Sequence, residues 1–191
     1  MSKVVVVTGA PGSGKSTVVD GALKKLKELG VSYELKNYGD EMLELMRERH
    51  GIKDRDDMRN VPAASYREIQ REAARRIAKA AEKKPVLVDT HCLIKKPEGY
   101  YPGLPVWVLE ELKPEVIIIV ESEAKEIAGR RAKDTSRKRD KEVLEEVEEH
   151  QQLNRAVAMA YATISGAAIR VIHNRDKRLN DAVEEMVSAL R

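Results

Sequence analysis

An apolar run, a glycine-rich turn and a Lys-Ser-Thr end, VVVVTGAPGSGKST at residues 4–17, constrains this chain more than any other stretch. Its β-branched start suits a strand buried on both faces, because such a strand has no solvent face to keep polar. Gly9, Ala10, Pro11, Gly12, Ser13, Gly14, Lys15 and Ser16 then fit the spacing G-x-x-x-x-G-K-[ST] between a strand and a helix. Glycines there let successive N–H groups turn inward as an anion nest, and the helix N-terminus adds its positive dipole end. In such a loop Lys15 reaches the β- and γ-phosphates and the Ser16 hydroxyl can ligate Mg²⁺. Thr17 offers the next hydroxyl, close to the α-phosphate. A bound triphosphate with Mg²⁺ is therefore expected at residues 9–17.

Periodicity along the rest of the chain alternates strands with helices. Strands are expected at residues 3–8, 32–37, 85–89, 115–121 and 169–173. Helices are expected at 15–29, 40–50, 62–84, 123–133, about 141–165 and 179–190. Gly30 stops the first helix and Pro62 suits the first turn of another. Such alternation implies an α/β fold of three layers, a five-stranded, mostly parallel sheet with helices on both faces. No Ser/Gly/Pro-rich linker divides the 191 residues, so one domain spanning 1–191 is expected.

Phosphate chemistry also needs an acid on a neighbouring strand to hold the metal or its waters. Asp89 ends the run Val86-Leu87-Val88, at the strand end where open α/β sheets bind ligands. Glu121 ends a second such run. The destination of the phosphoryl group is either water or a second molecule. A GTPase reader Asn-Lys-x-Asp is lacking, since Asn174-Arg175-Asp176-Lys177 has neither lysine nor aspartate in place. An acceptor that is itself a phosphate needs no general base, only positioning and cations to separate two polyanions. Arg130 and Arg131, the stretch Arg137-Lys138-Arg139 and Arg155 all follow the fourth expected strand, as that demand requires.

These residues carry a resemblance. The loop at 9–17, Tyr38-Gly39-Asp40, Val88-Asp89-Thr90-His91, Gly99-Tyr100-Tyr101-Pro102-Gly103-Leu104-Pro105, Arg130-Arg131, the 137–140 loop and Glu149-His150-Gln151-Gln152-Leu153-Asn154-Arg155 are similar to the archaeal adenylate kinases. The resemblance covers essentially the whole chain. It implies a P-loop NTPase fold and the reaction ATP + AMP ⇌ 2 ADP with Mg²⁺. It also implies an acceptor-binding segment at about 38–84, a short lid at about 134–140 and a trimeric assembly. Arg131, Arg137, Arg139 and Arg155 resemble the arginines aimed at the phosphates in such kinases, with Arg137 and Arg139 in the lid and Arg155 bridging both nucleotides. Lid closure that excludes water is the gating step that adenylate kinases illustrate.

One departure stands out. Bacterial-type relatives carry an arginine three residues after Gly-Asp, whereas Gly39-Asp40 is followed by Glu41-Met42-Leu43-Glu44. The AMP phosphate must find its cation elsewhere, at Arg59 or Lys95. His91 either faces the acceptor pocket or is a loop histidine bonded to backbone. Tyr38 contacts the acceptor or simply packs, and Tyr100 and Tyr101 flank an adenine or stiffen a loop. Trp107 is expected in the core. Arg67, Arg71, Arg75 and Arg76 read as a solvated face. Residues 156–162 are apolar all round, which requires burial all round, by the sheet or by another subunit.

Composition narrows the setting. Net charge is +3, from 35 Lys and Arg against 32 Asp and Glu, too balanced to imply a nucleic-acid partner. The single cysteine, Cys92, excludes an internal disulfide framework and fits a reducing cytoplasm. Met-Ser-Lys leads straight into a strand, unlike a signal peptide, and no apolar stretch approaches the roughly 20 residues of a membrane span. The four histidines and Cys92 show no zinc-ligand spacing, so no zinc is expected.

Overall fold

The apolar run that opens the chain becomes the middle strand of the sheet. In the computed structural model, which describes residues 3–54, 57–58, 61–133 and 144–191, β1 (Val4–Thr8) pairs in parallel with β3 (Val86–Asp89) on one side. On the other side it pairs with β6 (Val116–Glu121). β2 (Glu34–Asn37) and β7 (Ala168–His173) add in parallel at the edges, giving five strands in the order β2-β3-β1-β6-β7. The strands hold the expected alternation of faces. Val4, Val6, Val88, Ile117 and Ile119 join one core, and Val5, Val7, Leu87, Ile118 and Val120 the other.

Helices close both faces. α1 (Lys15–Glu28) and α7 (Leu179–Leu190) cover one. α2 (Tyr38–His50), α3 (Ala63–Ala81), α4 (Val106–Leu112) and α6 (Leu144–Ser165) cover the other. α5 (Ala124–Lys133) follows β6 and packs its Ile127 against Val147 of α6. The three-layer α/β fold read from the periodicity is thus the observed one. The connection order reverses beside β1, so the ligand crevice belongs at the carboxyl ends of β1, β3 and β6.

Several local expectations are corrected. The glycine-proline stretch after Asp89 is an antiparallel hairpin, β4 (Leu93–Lys96) with β5 (Gly99–Pro102), not a loop. Tyr161 of α6 pins the base of this hairpin. Its hydroxyl donates to the Cys92 carbonyl at 2.9 Å and accepts from the Leu104 N–H at 3.3 Å. α2 begins at Tyr38 because Asn37 caps it, its side chain accepting from the Asp40 N–H at 3.2 Å.

Trp107 is half-buried rather than fully in the core. Its Nε1 donates to Gln70 at 3.2 Å, and the Arg67 guanidinium lies 3.9 Å over its ring. The arginine face of α3 is not merely solvated either. Arg75 pairs with Glu111 of α4 at 2.9 Å and Arg76 with Glu48 of α2 at 2.9 Å.

The apolar second half of α6 is not buried all round. Ala158 and Tyr161 pack inward, while Met159 is 58% and Ile164 55% exposed. Among the described residues, one side of this helix is therefore left uncovered.

Candidate active site

The loop between β1 and α1 is tied down from outside. Arg131 of α5 donates to the Pro11 carbonyl through Nε at 2.8 Å and a second nitrogen at 2.5 Å. The Ser13 carbonyl accepts from Asn174 Nδ2 at 2.8 Å and from Arg130 at 3.3 Å. In a trans peptide the N–H points opposite the carbonyl, so these bonds turn the Gly12 and Gly14 N–H groups the other way, as an anion nest requires. Gly14 has φ +81°, and a Cβ there would strike the Asn174 side chain. A Cβ on Gly9 would strike the Val120 carbonyl of β6. Ala10 and Ser13 are buried, with the Ser13 N–H donating to the Ala10 carbonyl at 3.0 Å. Ser16 and Thr17 lie exposed in the first turn of α1.

Lys15 opens α1 and turns back over the sheet. Its ammonium forms an ion pair with Asp89 at the end of β3 and reaches the Thr90 carbonyl at 3.3 Å. Burial pulls this ammonium down to about 8. Asn37 Nδ2 donates to the other Asp89 oxygen at 3.1 Å. One asparagine therefore caps α2 and orients the acid.

At the end of β6, Glu121 is held in a two-point grip by Arg155 of α6, whose Nε lies 2.6 Å from Oε1. That fork occupies Glu121 and favours Asp89 as the acid beside the phosphate loop. Glu121 and Arg155 flank a cleft of about 440 Å³ that also includes Ser122, Gln151 and Arg175. A second cavity, of about 280 Å³, lies between the loop and the hairpin, walled by Pro11, His91, Leu93, Lys95, Arg131 and His150. Three expected site residues, His91, Lys95 and Arg131, thus meet beside the phosphate loop. Lys95 also pairs with Glu146 of α6 at 2.9 Å.

Tyr38 is not among them. It is buried, and its hydroxyl donates to the Gln70 carbonyl at 2.9 Å, which fixes α2 to α3; Gly39 follows it in the helix. Tyr100 meets the His150 ring edge-on at 5.4 Å, and Tyr101 lies exposed beneath the Lys96 ammonium. Arg59, Arg137 and Arg139, with the expected lid at 134–140, lie outside the described residues.

Sequence reasoning missed Asn174, Asn37 and Ser122. Ser122 accepts from Arg130 at 2.8 Å and donates to the Asn174 carbonyl, completing the brace behind the loop. The available signals were positional, since Asn37 ends β2 and Asn174 follows β7 at the ligand-binding end of the sheet.

The fold and this cradle define a P-loop kinase. A family model described as an AAA domain matches residues 8–148. Shikimate kinase from Bacteroides thetaiotaomicron has the same fold, with a TM-score of 0.57 and 13% identity over 98% of each chain. TT1252 from Thermus thermophilus gives 0.55 and 16%, covering 98% of this chain and 95% of its own. The adenylate kinase of Methanopyrus kandleri is 52% identical, over 100% of this chain and 99% of its own length. That of Methanothermobacter thermautotrophicus is 50% identical, over 98% and 99%. The chain belongs to the archaeal adenylate kinase family.

Proposed function

We propose that this chain transfers the terminal phosphoryl group of ATP to AMP, giving two ADP. The observation that carries the reading is the cavity beside Pro11, whose Arg131, Lys95 and His91 can receive a second anion next to the phosphate loop. Membership of a family whose relatives are named adenylate kinases supports it.

In this reading residues 9–17 hold the triphosphate and Lys15 swings its charge from Asp89 to the β- and γ-oxygens. The acceptor phosphate is already anionic, so no base is needed, and the loose transition state is stabilised by cations placed around it. Arg131 stands between the two sites, and Arg155 leaves Glu121 to span both nucleotides. Arg137 and Arg139 would act from the lid at 134–140. Arg59 in the acceptor segment 38–84, or Lys95, would take the AMP phosphate.

The Ser16 hydroxyl and the Asp89 carboxylate suit Mg²⁺, which prefers hard oxygens and completes its shell with phosphates and water. When bound it would neutralise charge between the β- and γ-phosphates. ADP formation from ATP with AMP, UMP, CMP or no acceptor tests the assignment. AMP is expected to give by far the fastest turnover. Equal turnover without acceptor would make the protein an ATPase, and preference for UMP or CMP would make it another nucleotide kinase.

The chain would work in the reducing cytoplasm on small molecules, without nucleic acid; among the described residues no helix is long and apolar enough to cross a membrane. The uncovered side of α6, with Met159 and Ile164, is the place for a homo-oligomer contact, a trimer as the family resemblance implies. Sedimentation at micromolar concentration should show the oligomer; a monomer would remove this part of the reading.

A further inference from the structure

His150 of α6 is 5% exposed, lines the cavity beside the phosphate loop, and among the described residues has no hydrogen-bond partner at its buried Nε2. Leaving a buried polar atom unpaired is costly, so such an atom in a cavity wall points to something that completes it. The ring is otherwise fixed. Tyr100 meets it edge-on at 61°, and the Leu93 backbone hydrogen-bonds to it, which engages Nδ1 and leaves Nε2 as the unspent nitrogen.

We propose that His150 is an acceptor-binding residue, its Nε2 donating to an oxygen of the acceptor's phosphate in this cavity, alongside Arg131 and Lys95. The proposal rests on the reading that the acceptor is a nucleoside monophosphate. A neutral ring whose Nδ1 donates to a carbonyl shows only a lone pair at Nε2, which a phosphate oxygen repels. Binding therefore requires the ring to take a proton from solvent.

The surroundings set that equilibrium. Burial, then the charges of Arg131 on α5 and Lys95 on β4, hold the ring below the ordinary histidine range. The Leu93 carbonyl and Glu149 act the other way, and Tyr100, His91 and Glu146 complete the groups around it. A phosphate dianion between the ring and the two cations reverses the balance. The folded, acceptor-bound state thus has the higher proton affinity, and acceptor binding weakens as pH rises through the interval between the two states.

Calorimetric titration of AMP into wild type, His150→Gln and His150→Phe at about pH 6 and about pH 8 tests this. Wild-type affinity should fall by roughly tenfold between them, one pKa unit of differential protonation being worth a factor of ten. His150→Gln, which keeps an N–H without a titration, should lose that fall relative to wild type, the ionisation of AMP itself being common to all. His150→Phe should bind AMP roughly tenfold more weakly at the lower pH, with ATP affinity unchanged in both variants. An identical pH profile in wild type and His150→Gln, or ATP affinity dropping in step with AMP affinity, would overturn the proposal. Wild type that forms ADP from AMP yet behaves like His150→Gln overturns this inference alone; wild type that neither binds nor phosphorylates AMP overturns the functional reading with it.

Discussion

Lys15→Met is expected to lower kcat by about 10³ while leaving the fold intact, as removal of a charge from a preorganised phosphoryl-transfer site does. Methionine keeps the length and apolar stem of the lysine, so α1 and the loop keep their packing. What disappears is a charge that only the transferring phosphates can replace. The Asp89 carboxylate loses its partner but is 21% exposed and keeps the Asn37 amide, so stability should change by no more than about 1 kcal/mol. The pH dependence separates the charge from its shape. Burial draws Lys15 to about 8, so free protein above that pH loses the ammonium that ATP needs. A bound triphosphate raises the ammonium again, so wild-type ATP affinity should fall as pH rises past about 8. The variant should bind weakly with no such fall. Steady-state rates, urea melts and ATP titrations across that range check all three outcomes.

Arg155→Ala should cost activity and stability together, for different reasons that a second substitution can part. Glu121 is 6% exposed at the side chain, and Arg155 is its two-point partner. Breaking a buried pair by removing one member leaves a charge without compensation, at about 3–5 kcal/mol. The Arg155 side chain is 55% exposed, so water already screens much of the pair, and about 1–2 kcal/mol is the expected loss. The loss in kcat should reach about 10³, the scale of arginine assistance to phosphoryl transfer. Adding Glu121→Gln removes the stranded charge and should restore the melting midpoint. It should not restore transfer. Recovery of both in the double variant would make Arg155 a structural residue only.

What could be read without coordinates was local in the chain. The phosphate loop is one continuous segment whose spacing carries its own chemistry, and Asp89 is marked by the end of an apolar run. The braces that shape the loop were hidden because they join distant residues, Asn174 to Ser13 across 161 positions and Arg131 to Pro11 across 120. No periodicity reports such a bond. The β4–β5 hairpin escaped because each strand has only four residues and Lys95 and Lys96 face solvent in succession, so alternation never appears. His150 is marked in the sequence by its place on a mostly apolar stripe. Val147, His150, Asn154, Ala158 and Tyr161 fall at helical spacing on the buried face of α6, and polar members of such a stripe need a reason.

In the proposed reaction one chain holds two nucleotides, their phosphates meeting between the loop at 9–17 and the cavity lined by Arg131. Titration with a compound that joins two adenosines through a five-phosphate bridge tests it most directly. One molecule should bind per chain, compete with both ATP and AMP, and bind at least about 10²-fold more tightly than ATP alone, as expected when two sites are filled by one ligand. Binding no tighter than ATP, or competition with ATP but not AMP, would contradict it.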